Sequence, residues 1–255
     1  MHDYHVHSNY SDGVFMGRMV RAAADAGLDG VGFADHCNVS EREHLRRYKR
    51  RFGFNLDVTY ERRRTAIEEY AAEYDLRVFD AVEVDYHPAD EERIRSFLDE
   101  ADFEYAVGSV HEIDEANVHW DYFADLGEDE RRGAVDEYFD HLVALVESEL
   151  FDVVAHPDII ERNPALRGYA TEDHYHTVAA ALAEASAVPE INAGRIDREY
   201  GQFHPNPSFL SVLAEHDVPV TLGTDAHSPD ELRERVSRLR ERASDAPVET
   251  VELSV

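Results

Sequence analysis

Short apolar runs alternate with longer segments in which apolar residues recur at helical spacing, from one end of the chain to the other. Seven runs read as strands, at 4–7, 30–34, 78–83, 105–110, 152–155, 189–192 and 219–222. The segments between and after them read as helices, at 17–26, 59–74, 89–100, 128–150, 172–185, 207–216 and 229–243. In the first helix Met16, Met19, Val20, Ala23 and Ala24 form one stripe, as covering a sheet requires, and Gly27 ends it. Regular alternation of strand and helix is the mark of parallel βαβ units. Such units close into a barrel or open into a doubly wound sheet. No G-x-G-x-x-G loop follows the first strand, so a barrel is predicted. A polar stretch at 38–55, rich in arginine and glutamate, interrupts the rhythm after the second strand. It predicts an extra helix over the barrel mouth, read as a solvated face in preference to a lid.

Composition narrows this picture. With 255 residues, 43% of them hydrophobic, and no Pro/Gly/Ser-rich linker, the chain reads as one domain spanning 1–255. The net charge is −30, from 55 acidic against 25 basic residues, and Lys49 is the one lysine among the latter. A surface so acidic repels itself in dilute buffer. At about 1 M salt the Debye length falls to roughly 3 Å and the repulsion is screened, which points to a salty cytoplasm. The same acidity argues against nucleic acid as a partner. The opening MHDYHVHSNYSDG has neither a basic nor an apolar leader region, and no apolar run reaches membrane-spanning length, so a cytoplasmic protein without membrane contact is expected. Cys37 stands alone, which excludes an intrachain disulfide; beside His36 it could neighbour a metal, but a small buried hydrophobe is the favoured reading.

The chemistry emerges when ionisable residues are placed on the strand map. His5 and His7 end the first strand, His36 follows the second, Glu83 closes the third, His111 follows the fourth and His156 the fifth. The sixth ends in Asn192, Gly194 and Arg195, and Asp225 and His227 follow the seventh. In a parallel barrel all these ends lie on one face, where active sites of such barrels form. Any one of these histidines taken alone would be read as structural. Six imidazoles and several carboxylates converging in a cleft need compensation that a cation supplies. Alternate strand residues point to the same side, so His5 and His7 can grip one ion, and Asp225 with His227 repeats the two-residue spacing across the barrel. Asp85 shares the period of Glu83 and could point inward in its place. Asp12, before Gly13, could equally be a turn residue.

Mixed imidazole and carboxylate ligation suits zinc, manganese or iron. Two such ions about 3.5–4 Å apart would activate a water, lowering its pKa toward about 7, and clamp the attacked group. With no serine in a nucleophile elbow, metal-dependent hydrolysis is the predicted chemistry.

At this point the chain resembles the polymerase-and-histidinol-phosphatase (PHP) superfamily. The resemblance rests on HVHS at 5–8, ADH at 34–36, the glutamate of AVEVDY, GSVH at 108–111, AHPD at 155–158 and GTDAH at 223–227, in that order over almost the whole chain. It implies a distorted seven-stranded (β/α) barrel, TIM-barrel-like, with a metal site of two or three divalent transition-metal ions at the C-terminal strand ends. By resemblance one ion takes His5, His7, Glu83 and Asp225, a second Glu83, His111 and His156, and a third Asp12, His36 and His227. Several members carry histidine where this chain has Asp12. Within the superfamily, the insertion before Glu83 and the runs EVDY, GSVHEID and EINAGR resemble the histidinol-phosphate phosphatases. That implies a small phosphomonoester substrate, with Glu83, Asp225, His227 and Arg195 carrying the chemistry. The resemblance further implies that an arginine after the E-x-N element holds phosphate. Arg195 is the match, Arg198 the fallback and Arg162 a second candidate, with Gly194 lending the chain freedom to turn into the cleft. For Arg162 a solvated surface charge is the favoured alternative.

Three rival readings remain open. A PHP-type phosphoesterase acting on nucleotides or short oligonucleotides would use the same metals. A barrel amidohydrolase would need a bridging carbamylated lysine, and Lys49 lies in the polar insertion. A non-catalytic metal-binding accessory module would have lost ligands, whereas here the positions are filled.

Overall fold

The computed structural model of the chain describes residues 1–255, the side chain of Phe52 excepted. Its strands are β1 (His2–Val6), β2 (Gly30–Cys37), β3 (Arg77–Asp85), β4 (Tyr105–Ser109), β5 (Glu112–Ile113), β6 (Ala116–Asn117), β7 (Val153–Val154), β8 (Val188–Asn192) and β9 (Thr221–Gly223). β5 and β6 form a small antiparallel hairpin. The other seven form one parallel sheet in the order β1-β2-β3-β4-β7-β8-β9. The ring closes just past β9, where Asp225 N–H donates to the His5 carbonyl at 2.8 Å and His7 N–H to the Ala226 carbonyl at 3.0 Å. The predicted seven-stranded (β/α) barrel is therefore the observed fold.

The helices are α1 (Met16–Asp25), α2 (Glu43–Phe52), α3 (Tyr60–Glu73), α4 (Glu91–Ala101), α5 (Glu128–Glu147), α6 (Glu172–Glu184), α7 (Pro207–Glu215) and α8 (Pro229–Ser244). Local chemistry starts several of them. Thr171 caps α6, Asn206 caps α7 and Ser228 caps α8, each accepting from backbone N–H groups of the first turn, and proline follows the cap in the last two. The hairpin of β5 and β6 was not anticipated: its strands are two residues each, too short to show a period, and Asp114 and Glu115 make the turn with positive φ.

Period-two alternation along β3 explains how a barrel strand delivers a ligand. Phe79 and Ala81 pack inside the barrel with Tyr4, Tyr105, Val107 and Val153. Val82 and Val84 pack outward under the helices, so Glu83 faces the axis one step beyond Ala81. On β1 the register slips: Asp3 pairs with Val31, yet Val6 pairs with Phe33, three residues against two. This bulge changes the parity, so that Tyr4 joins the inner cluster while His5 and His7 also reach the mouth.

Arg63, on α3, is fully buried and ties β2 to β3 through Asp35 at 2.9 Å and Asp80 at 2.7 Å, with the carbonyls of Phe33 and Ala81 as further acceptors. Asp35 in turn accepts from Ser8 N (2.6 Å), Ser8 Oγ (2.8 Å) and Ser11 Oγ (2.8 Å), fixing the loop that leaves β1. Among the described residues no helix is long and apolar enough to cross a membrane.

Candidate metal centre

The strand ends bring all nine predicted ligands to one mouth. His5 Nε2 and His7 Nε2 face each other at 3.2 Å, with Asp225 Oδ1 3.4 Å from the second. Glu83 stands at the middle: Oε2 is 2.8 Å from His36 Nδ1, 3.3 Å from His5 Nε2 and 3.6 Å from His7 Nε2, while Oε1 is 3.2 Å from His156 Nε2 and 3.7 Å from His111 Nε2. Asp12 Oδ1 lies 3.2 Å from His227 Nε2 and 3.9 Å from both His7 Nδ1 and His36 Nε2.

Three sets of potential ligand atoms draw together within 4.8 Å: His5, His7 and Asp225; His36, Glu83 and His111; and His7, Asp12, His36 and His227. These sets differ from the grouping implied by resemblance at three points: Glu83 is absent from the first, His36 replaces His156 in the second, and His7 joins the third. His36 stands beside Glu83 and His111 where His156 was expected, because its two ring nitrogens face Glu83 and Asp12 in turn.

The donor set fits divalent metal on three counts. Glu83 Oε2 and His156 Nδ1 are buried and make no hydrogen bond, although imidazole nitrogens crowd the carboxylate. The Nε2 atoms of His5 and His7 face each other at 3.2 Å, a separation bridged by a proton in the metal-free protein and open to a cation in its place. Most telling, Nδ1 of three rings is engaged from behind. His5 Nδ1 donates to Glu190 at 2.9 Å, His111 Nδ1 to Asp85 at 2.7 Å and His227 Nδ1 to the Asp225 carbonyl at 3.0 Å. Each bond holds a proton on Nδ1 and turns Nε2 to the centre, the nitrogen that a ligating histidine offers once its own proton is displaced. Asp85 is thus the support of His111, steadied by Asn38 at 3.0 Å, and Glu83 is the inward carboxylate.

Electrostatics divide the imidazoles. Burial, with the neighbouring His227 and His36, pushes His7 down to about 4, and burial also takes His156 to about 4, so both are neutral. Burial opposes charge on His36 as well, but Glu83 and Asp12 outweigh it and hold it up at about 10. Against the same burial, Glu190 and Glu83 hold His5 well above its ordinary value, and Asp12 and Asp225 raise His227. The carboxyls of Glu83 and Asp225 stay far below theirs despite burial, Glu83 because of His36 and His5, Asp225 because of His7 and His5.

A cavity of about 550 Å³ opens over this cluster, lined in part by Leu45, Tyr48, Phe54, Trp120, Arg162 and Arg195. α2 therefore contributes a wall of the cavity, which corrects the reading of 38–55 as merely a solvated face: the apolar side of a short arginine-rich helix turns to the mouth.

The three arginines differ. Arg162 is not a surface charge: its side chain is only 8% exposed and reaches Asn192 Oδ1 (3.3 Å), the Gly194 carbonyl (3.2 Å) and Asp225 Oδ2 (3.3 Å). Arg198 is exposed and taken up by Glu231 at 3.1 Å and Asp197 at 3.5 Å. The Arg195 side chain makes no ion pair or hydrogen bond among the described residues, at the mouth of a protein of net charge −30. Gly194 serves by its size, since a Cβ there would lie 2.1 Å from Asp225 Oδ2 and 2.6 Å from Arg162 Nη2. It is Arg195 that takes the left-handed turn, φ +69°, as do the candidate ligands His156 (+26°) and Asp225 (+51°). Such backbone costs on the order of 1–3 kcal/mol per residue and persists where surrounding structure imposes it.

Sequence reasoning missed Glu190 and His204. Glu190 had a signal, its period-two relation to Asn192 on β8. His204 lies in a loop without periodicity and had none.

The Probable histidinol-phosphatase of Deinococcus radiodurans is 27% identical over 218 residues, which cover 83% of this chain and 80% of that one. Among solved structures, hisK of Listeria monocytogenes superposes with a TM-score of 0.73 at 17% identity, covering 91% of this chain and 97% of that one. The histidinol phosphate phosphatase of Lactococcus lactis, solved with zinc, L-histidinol and phosphate, superposes with a TM-score of 0.70 at 19% identity over 98% of each chain. These two likenesses establish the fold. The PHP domain model matches residues 3–193, a span that carries seven of the nine converging candidate ligands, and on that match the chain belongs to the PHP family.

Proposed function

We propose that this chain is a metal-dependent phosphomonoesterase that hydrolyses L-histidinol phosphate to L-histidinol and phosphate. The observation that carries the reading is the unpaired guanidinium of Arg195 beside a cluster of nine metal-ligand side chains. A phosphomonoester brings nearly two negative charges, and in so acidic a protein only a local positive field can hold it. The likeness to the D. radiodurans relative supports the choice of alcohol.

His5, His7, Asp12, His36, Glu83, His111, His156, Asp225 and His227 would hold two or three divalent ions, zinc being the metal in the L. lactis structure. Bound there, the ions would supply an activated water and neutralise the phosphoryl oxygens. The chain's own part is orientation. Arg195 offers its planar fork to outer phosphate oxygens, and Arg162, fixed from behind, presents a second guanidinium at the cavity wall. Arg195 sits at a left-handed turn and lines the cavity.

The test is phosphate release by the zinc- or manganese-loaded protein in high salt, across histidinol phosphate, nucleoside phosphates and phosphodiesters. Preference for histidinol phosphate supports the proposal. Preference for a nucleotide or diester moves the chain to the other phosphoesterase reading, and no release from any substrate points to the accessory-module reading.

A further inference from the structure

Strand β8 carries a charged side chain that the metal centre does not use as a ligand and the core cannot tolerate alone. Glu190 is 0% exposed. A carboxylate in a dry interior is costly unless fully compensated, and here the compensation comes from three donors. His5 Nδ1 donates to Oε1 at 2.9 Å and lies 3.1 Å from Oε2; the backbone N–H of His156 donates to Oε1 at 3.0 Å; Asn192 Nδ2 donates to the same oxygen at 2.7 Å. Space for it is reserved by Gly223, the first residue of GTDAH, where a Cβ would lie 2.1 Å from Glu190 Oε2 and 2.7 Å from His5 Cβ.

We infer that Glu190 is a positioning residue for the metal centre: one carboxylate that fixes the ring of ligand His5 from β1 and the backbone of ligand His156 after β7. The inference rests on the metal-dependent reading of the site. Oε1 accepts three hydrogen bonds and Oε2 shares the His5 Nδ1 proton, so the carboxylate is engaged by the residues that carry the ligands and supports them. Its bond to Nδ1 puts the His5 proton on that nitrogen and makes Nε2 more basic toward a cation. Its bond to the His156 amide ties down a residue at φ +26°, a conformation that side chains rarely adopt unaided. The hold extends through Asn192, whose Oδ1 accepts from Gly194 N at 2.7 Å and from Arg162 Nη2 at 3.3 Å. The E-x-N element thus joins metal ligands to the arginine at the cavity wall.

The experiment compares wild-type protein with Glu190→Gln, an isosteric change that keeps an acceptor but removes the charge. Zinc affinity is measured by chelator competition on metal-free protein whose fold is checked by circular dichroism. A folded Glu190→Gln protein should bind zinc roughly 10–100-fold more weakly than wild type. Wild-type affinity in that folded variant overturns the inference and leaves the metal reading intact. Failure of the wild type to bind zinc overturns both. Because the variant could fail to fold, ring tautomers are also read by histidine-labelled 15N NMR on zinc-loaded wild type. A His5 proton on Nδ1 supports the inference, and a proton on Nε2, or a direct zinc bond to Glu190 in a crystal structure, overturns it.

Discussion

Arg162 donates its Nε–H to Nε2 of His204 at 2.8 Å, and this bond decides which nitrogen of that buried histidine carries the proton. Nδ1 must then donate, and it does so to Asp158 Oδ1 at 2.5 Å, while Asp158 Oδ2 accepts from Asn206 N at 2.7 Å and Nδ2 at 2.9 Å. Tyr200 stacks on the outer face of the ring, centroids 4.8 Å apart. The guanidinium of Arg162 is therefore aimed by a chain of side chains reaching to the cap of α7.

That chain predicts the effect of His204→Ala. Arg162 should lose its aim while zinc content and the circular dichroism spectrum stay as in wild type, and kcat/KM for the phosphomonoester should fall about 10–100-fold, about 1.4–2.7 kcal/mol. Unchanged kinetics would mean that Asp225 and the Gly194 carbonyl suffice to hold the arginine.

Arg195 faces a different test, since among the described residues no ion pair or hydrogen bond holds its side chain. Arg195→Lys keeps the charge but loses the paired hydrogen bonds; Arg195→Ala loses both. Turnover should drop by about one decade for the first and more for the second, a charge-assisted hydrogen bond contributing about 1.5–3 kcal/mol. Metal content should not change. If both variants turn over like wild type, phosphate is held without Arg195.

Metal should stabilise as well as activate. Where zinc exceeds its Kd by about 1,000-fold, the native state gains about 4 kcal/mol, so the melting temperature of chelated protein should rise on adding zinc. His156→Ala should blunt that rise and cost activity. Full activity in protein shown by elemental analysis to be metal-free would rule out metal dependence.

Metal binding should also release protons. In the metal-free protein carboxylates hold His36 at about 10 and raise His5 and His227, so these rings carry protons at neutral pH that a cation must displace. His7 and His156, both at about 4, are already neutral and contribute none. The sign follows: zinc affinity should keep rising from about pH 7 toward about pH 10, where His36 sheds its proton, and should fall more steeply only as the pH nears about 4, where His7 and His156 take up protons as well. Calorimetry in two buffers of different ionisation enthalpy counts the protons, and a count of zero would contradict the raised values.

Salt is the last variable. With 55 acidic side chains against 25 basic ones, screening should favour the compact state until the Debye length is only a few Å. The melting temperature should climb between dilute buffer and molar potassium chloride; a flat response would set aside adaptation to a saline cytoplasm.

The sequence by itself determined the barrel and the identity of its strand-end side chains. Period-two strands and stripe-bearing helices repeat along the whole chain, and a parallel barrel puts every strand end on one face, so His5, Glu83 and Asp225 could be placed together without coordinates. What only the tertiary structure decided depends on contacts between residues far apart in the chain. Which nitrogen His5 turns to the centre is set by Glu190, 185 residues away. Whether Arg162 is a surface charge or a nearly enclosed one is set by His204 and Asp225, which close over it from a loop and from the far side of β9. The wall formed by α2 belongs to the same class. A pattern of polar and apolar positions specifies which face of an element is buried, but the direction of a hydrogen bond depends on the partner that arrives there.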